Sequence, residues 1–208
     1  MKAGMVWNRV TISPGFLVFF CAYYYFDPAG TFWPFFLGAS AHELGHLTAL
    51  KLLRVPVHSL RFGASGACLE TANMSYRKEF LSAAAGPAAN LLLALGFLHR
   101  EPVFALVNLA LLLYNLLPFY PLDGGRILRC MLQFLLGSGR AAMLTERIAS
   151  GCCLLLLWGL SIYLTCILHE GLWPVLLCAL ITVRIAGTIF PERGNFTNKR
   201  IDKSKIAC

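Results

Sequence analysis

The chain has 208 residues, of which 58% are hydrophobic and only 13% charged, and it carries a formal net charge of +8. Its mean hydropathy is +0.66. An ordinary soluble domain has about 25% charged residues, so this composition excludes a globular domain with a single anchor and points to a polytopic membrane protein.

Six apolar segments can be drawn: Ser13–Phe26, Thr31–Leu53, Phe80–Leu98, Val103–Leu117, Ala149–Leu168 and Leu172–Ile189. The first and fourth fall short of the ~20 residues that a straight span needs, so tilted or irregular ends are expected there. Lys2 and Arg9 precede the first segment, as in a signal peptide. Tyr23-Tyr24-Tyr25-Phe26 stands where a small-residue cleavage site would be, so the segment reads as a retained helix. The expected fold is an all-α polytopic membrane protein with six transmembrane helices over 1–190. A small membrane-associated β-sheet is expected on its cytoplasmic side, and a short basic tail over 191–208 without a CBS or PDZ domain.

With six spans, only Arg100 of the 18 Lys and Arg falls on the loops opposite to the rest, with Arg184 snorkelling towards the tail. The positive-inside rule then places both termini in the cytoplasm. Tyr23 to Tyr25, Phe32, Trp33 and Trp173 gather at the outer interface. The basic charge is accounted for by topology and contact with the anionic bilayer, and requires no nucleic-acid partner.

The second segment contains His42-Glu43-Leu44-Gly45-His46. Two imidazoles at i and i+4 project from one face of a helix and can bind one zinc ion. The carboxylate of Glu43 beside them can deprotonate water held at that metal. Alone the pattern is weak. Within a membrane span, where each ionisable group costs roughly 2.5–3.5 kcal/mol on insertion scales, it marks a working site. At a rise of about 1.5 Å per residue, His46 lies roughly 12 Å and His42 roughly 18 Å from Arg54, on the cytoplasmic half of the span.

Between the second and third segments, Val57 to Phe62 alternates loosely, Gly63 to Gly66 supplies a turn, and Ala67 to Thr71 returns. Val6 to Ile12 adds another strand. Such a sheet is either a hairpin packed on helix ends or an edge that receives an extended substrate. In the third segment, Ala83-Ala84-Ala85-Gly86-Pro87-Ala88-Ala89-Asn90 combines small residues for close helix approach with Asn90 on the same face as Gly86. Asn90 either donates to the water at the metal or to an oxyanion, or only packs the bundle.

The fourth segment ends in Asn115-Leu116-Leu117-Pro118-Phe119-Tyr120-Pro121-Leu122-Asp123-Gly124-Gly125. Two prolines and two glycines predict unwound backbone lining a wet cavity. Asp123, the only carboxylate of this run, completes a two-histidine, one-carboxylate set for one zinc ion with a fourth position open. The competing reading makes Asp123 the cap of a helix beginning near Gly125. The eight cysteines form no C-x-x-C pair and receive no chemistry, and neither do His58, His99 and His169.

The motifs at 42–46, 85–90 and 115–125 resemble those of the site-2 protease family of intramembrane metalloproteases, and the compact plan is similar to its bacterial sporulation branch. The resemblance implies that His42, His46 and Asp123 bind zinc and that Glu43 is the general base. It also implies substrate-contacting roles for Asn115 and Pro121. The implied partners are a membrane-spanning or membrane-associated protein substrate, with a sporulation pro-sigma factor as one candidate, and a membrane-bound inhibitor. Members of that branch often carry a CBS domain after the last helix, and none is expected in the mostly polar residues that follow Phe190 here. The alternatives are a metal-binding membrane transporter, which would favour sites without a helix-borne base, and an inactive membrane scaffold.

Overall fold

The computed structural model describes residues 9–27, 29–63, 66–120, 122–166, 175, 178–179, 181–182 and 206–207. These elements are β1 (Arg9–Ile12), α1 (Pro14–Tyr25), α2 (Phe32–Leu52), β2 (Val57–Gly63), β3 (Gly66–Thr71), α3 (Tyr76–Phe97), α4 (Pro102–Asn115), α5 (Asp123–Leu136), α6 (Gly139–Cys166) and β4 (Ile206–Ala207). The protein is mostly helical with one small sheet.

Local chemistry sets the helix starts. Ser13 Oγ accepts the Phe16 N–H at 3.3 Å and Pro14 opens α1 with its φ already helical. Thr31 makes no side-chain cap for α2. Asp27 does so from outside the helix, accepting the Phe32 N–H at 2.6 Å and the Thr31 hydroxyl at 2.9 Å. Phe20 and Tyr23 of α1 then meet Phe32 and Phe35 of α2, which fixes α1 against the entry of α2.

Helix α2 packs on α3 and α4, α3 reaches α4 and α5, and α5 packs on α6. The sheet has the order β1-β2-β3-β4, with β1 parallel to β2 and the other pairs antiparallel. Leu60 lies opposite Leu69, and both bury with Val57 against Leu50 and Val55 at the end of α2. Val57 and Leu60 share that core although an ideal strand would place them on opposite faces. The register shift between Val57 and Ser59 changes the phase and reconciles them.

The helices expose their apolar side chains and bury their polar ones. Leu92, Leu95, Leu106, Leu113, Leu155 and Leu156 are exposed, whereas His42, His46, Ser82, Asn90, Asn108, Asp123, Arg126 and Glu146 are buried. That is the reverse of the pattern in a water-soluble bundle. By length and composition α3 and the first 25 residues of α6 could cross a membrane, and α1 and α4 are shorter apolar helices.

Helices α1 to α4 cover the first four apolar segments to within a few residues. Two stretches differ from the sequence reading. Arg126 and Arg129, read as loop charges, sit on the amphipathic α5, and α6 begins at Gly139 rather than near Ala149. Apolarity marks only helix of membrane thickness, whereas Arg140, Ala141, Met143 and Glu146 are good helix formers that extend α6 beyond it. Most of the expected segment Leu172–Ile189 lies outside the described residues.

Candidate metal centre

The centre forms where one face of α2 meets the start of α5. His42 Nε2 and His46 Nε2 lie 3.1 Å apart, and Asp123 Oδ2 lies 3.0 Å from the first and 3.1 Å from the second. All three side chains are buried. His46 Nδ1 lies 2.7 Å from the Ser82 carbonyl oxygen, which only accepts, so the ring proton belongs on Nδ1 and Nε2 presents a bare lone pair. Three acceptor atoms facing one another at this spacing repel unless a cation or proton lies among them. Four donors at 2.0–2.1 Å in a tetrahedron would stand about 3.3 Å apart, close to this triangle, so the residues fit a zinc ion.

Neighbouring elements hold the triangle. The ring edges press against α3 at Gly86, where a Cβ would fall 2.4 Å from His46 Nε2 and 2.7 Å from His42 Nε2. Only a residue without a side chain lets α3 run so close to the imidazoles. Gly124 and Gly125 do the same for α5, since a Cβ at either would meet the backbone of Leu116 to Tyr120 at 2.2–2.6 Å. The unwound stretch between α4 and α5 is thus folded back under the first turn of α5. Phe119 and Leu122 seal it against Cys153, Leu154 and Leu157 of α6.

Asp123 is the first residue of α5, and the N-cap position belongs to Leu122, which makes no side-chain cap bond. Its second oxygen, Oδ1, lies 3.5 Å from Arg126 Nη1. Arg126 Nε in turn is 4.0 Å from Glu79 Oε1, and Arg129 Nη2 reaches the same oxygen at 3.5 Å while stacking 4.5 Å over the Tyr120 ring. Two arginines read from the sequence as topological charges therefore serve internal carboxylates. Their signal was the i, i+3 spacing of Asp123 and Arg126, which on a helix brings the pair together.

Glu43 is half-buried and interacts electrostatically with His42, His46 and Asp123. Asn90 is fully buried, and neither its amide nitrogen nor its oxygen has a partner among the described residues. Leaving such a group unpaired costs about 1–3 kcal/mol, so a site that retains it expects a ligand or water there. Asn115 instead donates to the Leu111 carbonyl oxygen of its own helix at 3.0 Å. Pro121 lies outside the described residues. No disulfide joins the described cysteines, and burial pushes the Cys130 thiol up to about 12, which keeps it protonated and inert.

Known proteins share these features. The family model described as peptidase family M50 matches residues 96–158, which include the run leading to Asp123. The chain is 34% identical over 128 residues to stage IV sporulation protein FB of Bacillus subtilis, covering 55% of this chain and 44% of that one. It is 31% identical over 132 residues to a Synechocystis sp. protein, sll0528, named provisionally as a zinc metalloprotease, covering 56% and 35%. The chain thus spans less than half the length of these curated relatives. Among solved structures, the site-2 protease from Methanocaldococcus jannaschii superposes with a TM-score of 0.62 at 20% identity, over 92% of this chain and 95% of that one, which shows a shared fold.

Proposed function

We propose that this chain is a member of peptidase family M50 and an intramembrane zinc metalloprotease cutting a membrane-spanning or membrane-associated protein. The observation that carries the proposal is the buried triangle of His42, His46 and Asp123, with Glu43 on the same helix. Zinc, when bound by those three side chains, would polarise the scissile carbonyl and acidify the attacking water. The Glu43 carboxylate accepts a proton from that water as its oxygen bonds to the carbonyl carbon. It then returns the proton to the leaving nitrogen as the C–N bond breaks. In this reading Asn90 would donate an N–H to the developing oxyanion, and Asn115 and Pro121 would contact the unwound substrate.

Six spans with both termini in the cytoplasm are part of this reading. The outward leucines of α3, α4 and α6 and the one-sided basic residues support it. A reporter fused after Cys208 is expected to register cytoplasm, and one inserted near His99 the opposite face. A tail reporting outside would overturn the arrangement. At the sheet, β1 exposes Val10 and Ile12 beside an outer edge, a surface suited to pairing with an extended substrate. Likeness to a stage IV sporulation protein supports a sporulation pro-sigma factor as the specific substrate.

His42→Ala should abolish both zinc content and cleavage of a co-expressed membrane-tethered substrate. Asp123→Asn keeps the size of the side chain but removes the charge that zinc prefers in its third ligand. That variant should insert and fold yet purify with little zinc and little activity. Stoichiometric zinc with normal cleavage in Asp123→Asn would remove Asp123 from the ligand set.

A further inference from the structure

The buried polar atoms left without partners among the described residues are His42 Nδ1, both amide atoms of Asn90, Asn108 Oδ1, Gln133 Oε1 and Thr165 Oγ1. His42 Nδ1 on α2 and Asn108 Oδ1 on α4, which faces α2 at Gly38 one helical turn before His42, complement each other chemically. Both histidines give Nε2 to the triangle, which leaves Nδ1 of each ring to carry the proton. A ligating imidazole is held in place by an acceptor for that second N–H. His46 has one in the Ser82 carbonyl oxygen, and His42 has none.

Helical Cα–Cβ bonds tilt towards the N-terminus, so the His42 ring leans over Gly38, one turn earlier. There α4 comes so near that a Cβ on Gly38 would lie 2.9 Å from Asn108 Oδ1. Asn108 is fully buried, and its Nδ2 donates to the Phe104 carbonyl oxygen at 2.9 Å. Because a carbonyl cannot donate, that bond fixes which amide atom is which and leaves Oδ1 turned to α2 as an unused acceptor. A donor without an acceptor on α2 and an acceptor without a donor on α4 therefore belong to the same helix crossing, where Gly38 provides the space.

We propose that Asn108 is the positioning residue of His42: its Oδ1 accepts the His42 Nδ1–H through one buried water and so holds Nε2 towards His46 and Asp123. The water is part of the proposal because the two atoms make no direct hydrogen bond, and buried waters typically join about three polar groups. The unpartnered Asn90 amide, one turn from Gly86 on α3, is suited to be the third. The inference rests on the zinc-site reading above.

The test measures zinc affinity of the purified full chain in detergent by competition with a chromophoric chelator. It also records the visible spectrum of the cobalt(II) form. Asn108→Leu keeps the volume and removes the acceptor, and should weaken zinc binding by about 10- to 100-fold and alter the cobalt spectrum. Asn108→Asp retains an acceptor at the same reach and should bind zinc within a few-fold of wild type. A role in packing alone predicts the opposite order, with Leu tolerated and Asp harmful. Leu binding within twofold of wild type, or Asp as weak as Leu, would overturn the proposal. Should Asn108→Leu fail to accumulate, Asn108→Ala carries the same expectation. If the wild-type chain itself takes up no zinc, the fault lies in the proposed function and not in Asn108.

Discussion

Glu43→Gln is expected to retain zinc at the wild-type level while losing cleavage by about three orders of magnitude or more. The amide is nearly the same size as the carboxylate, so packing beside His42 and His46 should survive. It cannot accept the proton of the attacking water, nor hand one to the leaving nitrogen. A single positioned acid–base group contributes typically 10²–10⁴-fold, and here one side chain serves both transfers. The measurement pairs metal analysis of the purified chain with cleavage of a membrane-tethered substrate co-expressed in cells. Loss of cleavage with zinc retained separates the base from the ligands, since His42→Ala should lose both. Full turnover by Glu43→Gln would end the assignment.

Gly86→Ala is expected to be as damaging, although on helix propensity alone it should help. Alanine is favoured over glycine inside a helix by about 1 kcal/mol, so α3 itself should gain stability. The added Cβ, however, would stand 2.4 Å from His46 Nε2, 2.6 Å from its Cε1 and 2.7 Å from His42 Nε2. Ordinary contact between such atoms is about 3.5–4.0 Å. The rings have little freedom to retreat, because His46 is tied to the Ser82 carbonyl oxygen and both Nε2 atoms converge on Asp123. Zinc affinity and cleavage should therefore each fall by about 100-fold or more. Overpacking costs about 1–3 kcal/mol, which offsets the gain in helix propensity, so thermal unfolding of the metal-free chain should stay near the wild-type midpoint or fall modestly below it. Wild-type zinc binding in this variant would mean that α3 shifts freely, and Gly86 would then be a packing residue only.

Much of this arrangement was legible before any coordinates. Membrane-length apolar runs dictated helices because backbone polar groups must be satisfied locally where water is scarce, and α1 to α4 lie where those runs lie. The i, i+4 spacing of His42 and His46 put both rings on one face, a consequence of helical periodicity alone. Pro118 and the paired glycines announced broken backbone ahead of Asp123, and residues 116–120 and 122 do lie outside helices.

What stayed hidden depends on contacts between segments far apart in sequence. Nothing local to Arg126 or Arg129 says that Glu79, some 50 residues away, will take up their charge. Nothing local to Gly38 says that α4 will bring Asn108 against it, or that Gly86 will define the wall behind two imidazoles. The sequence by itself determined the element types, the paired histidines and the polar residues unusual enough in an apolar chain to demand a role. Only the tertiary structure decided how those residues are partnered, because partnership depends on distances between helices. Those distances are set by the small residues at each crossing, and a linear pattern carries no measure of them.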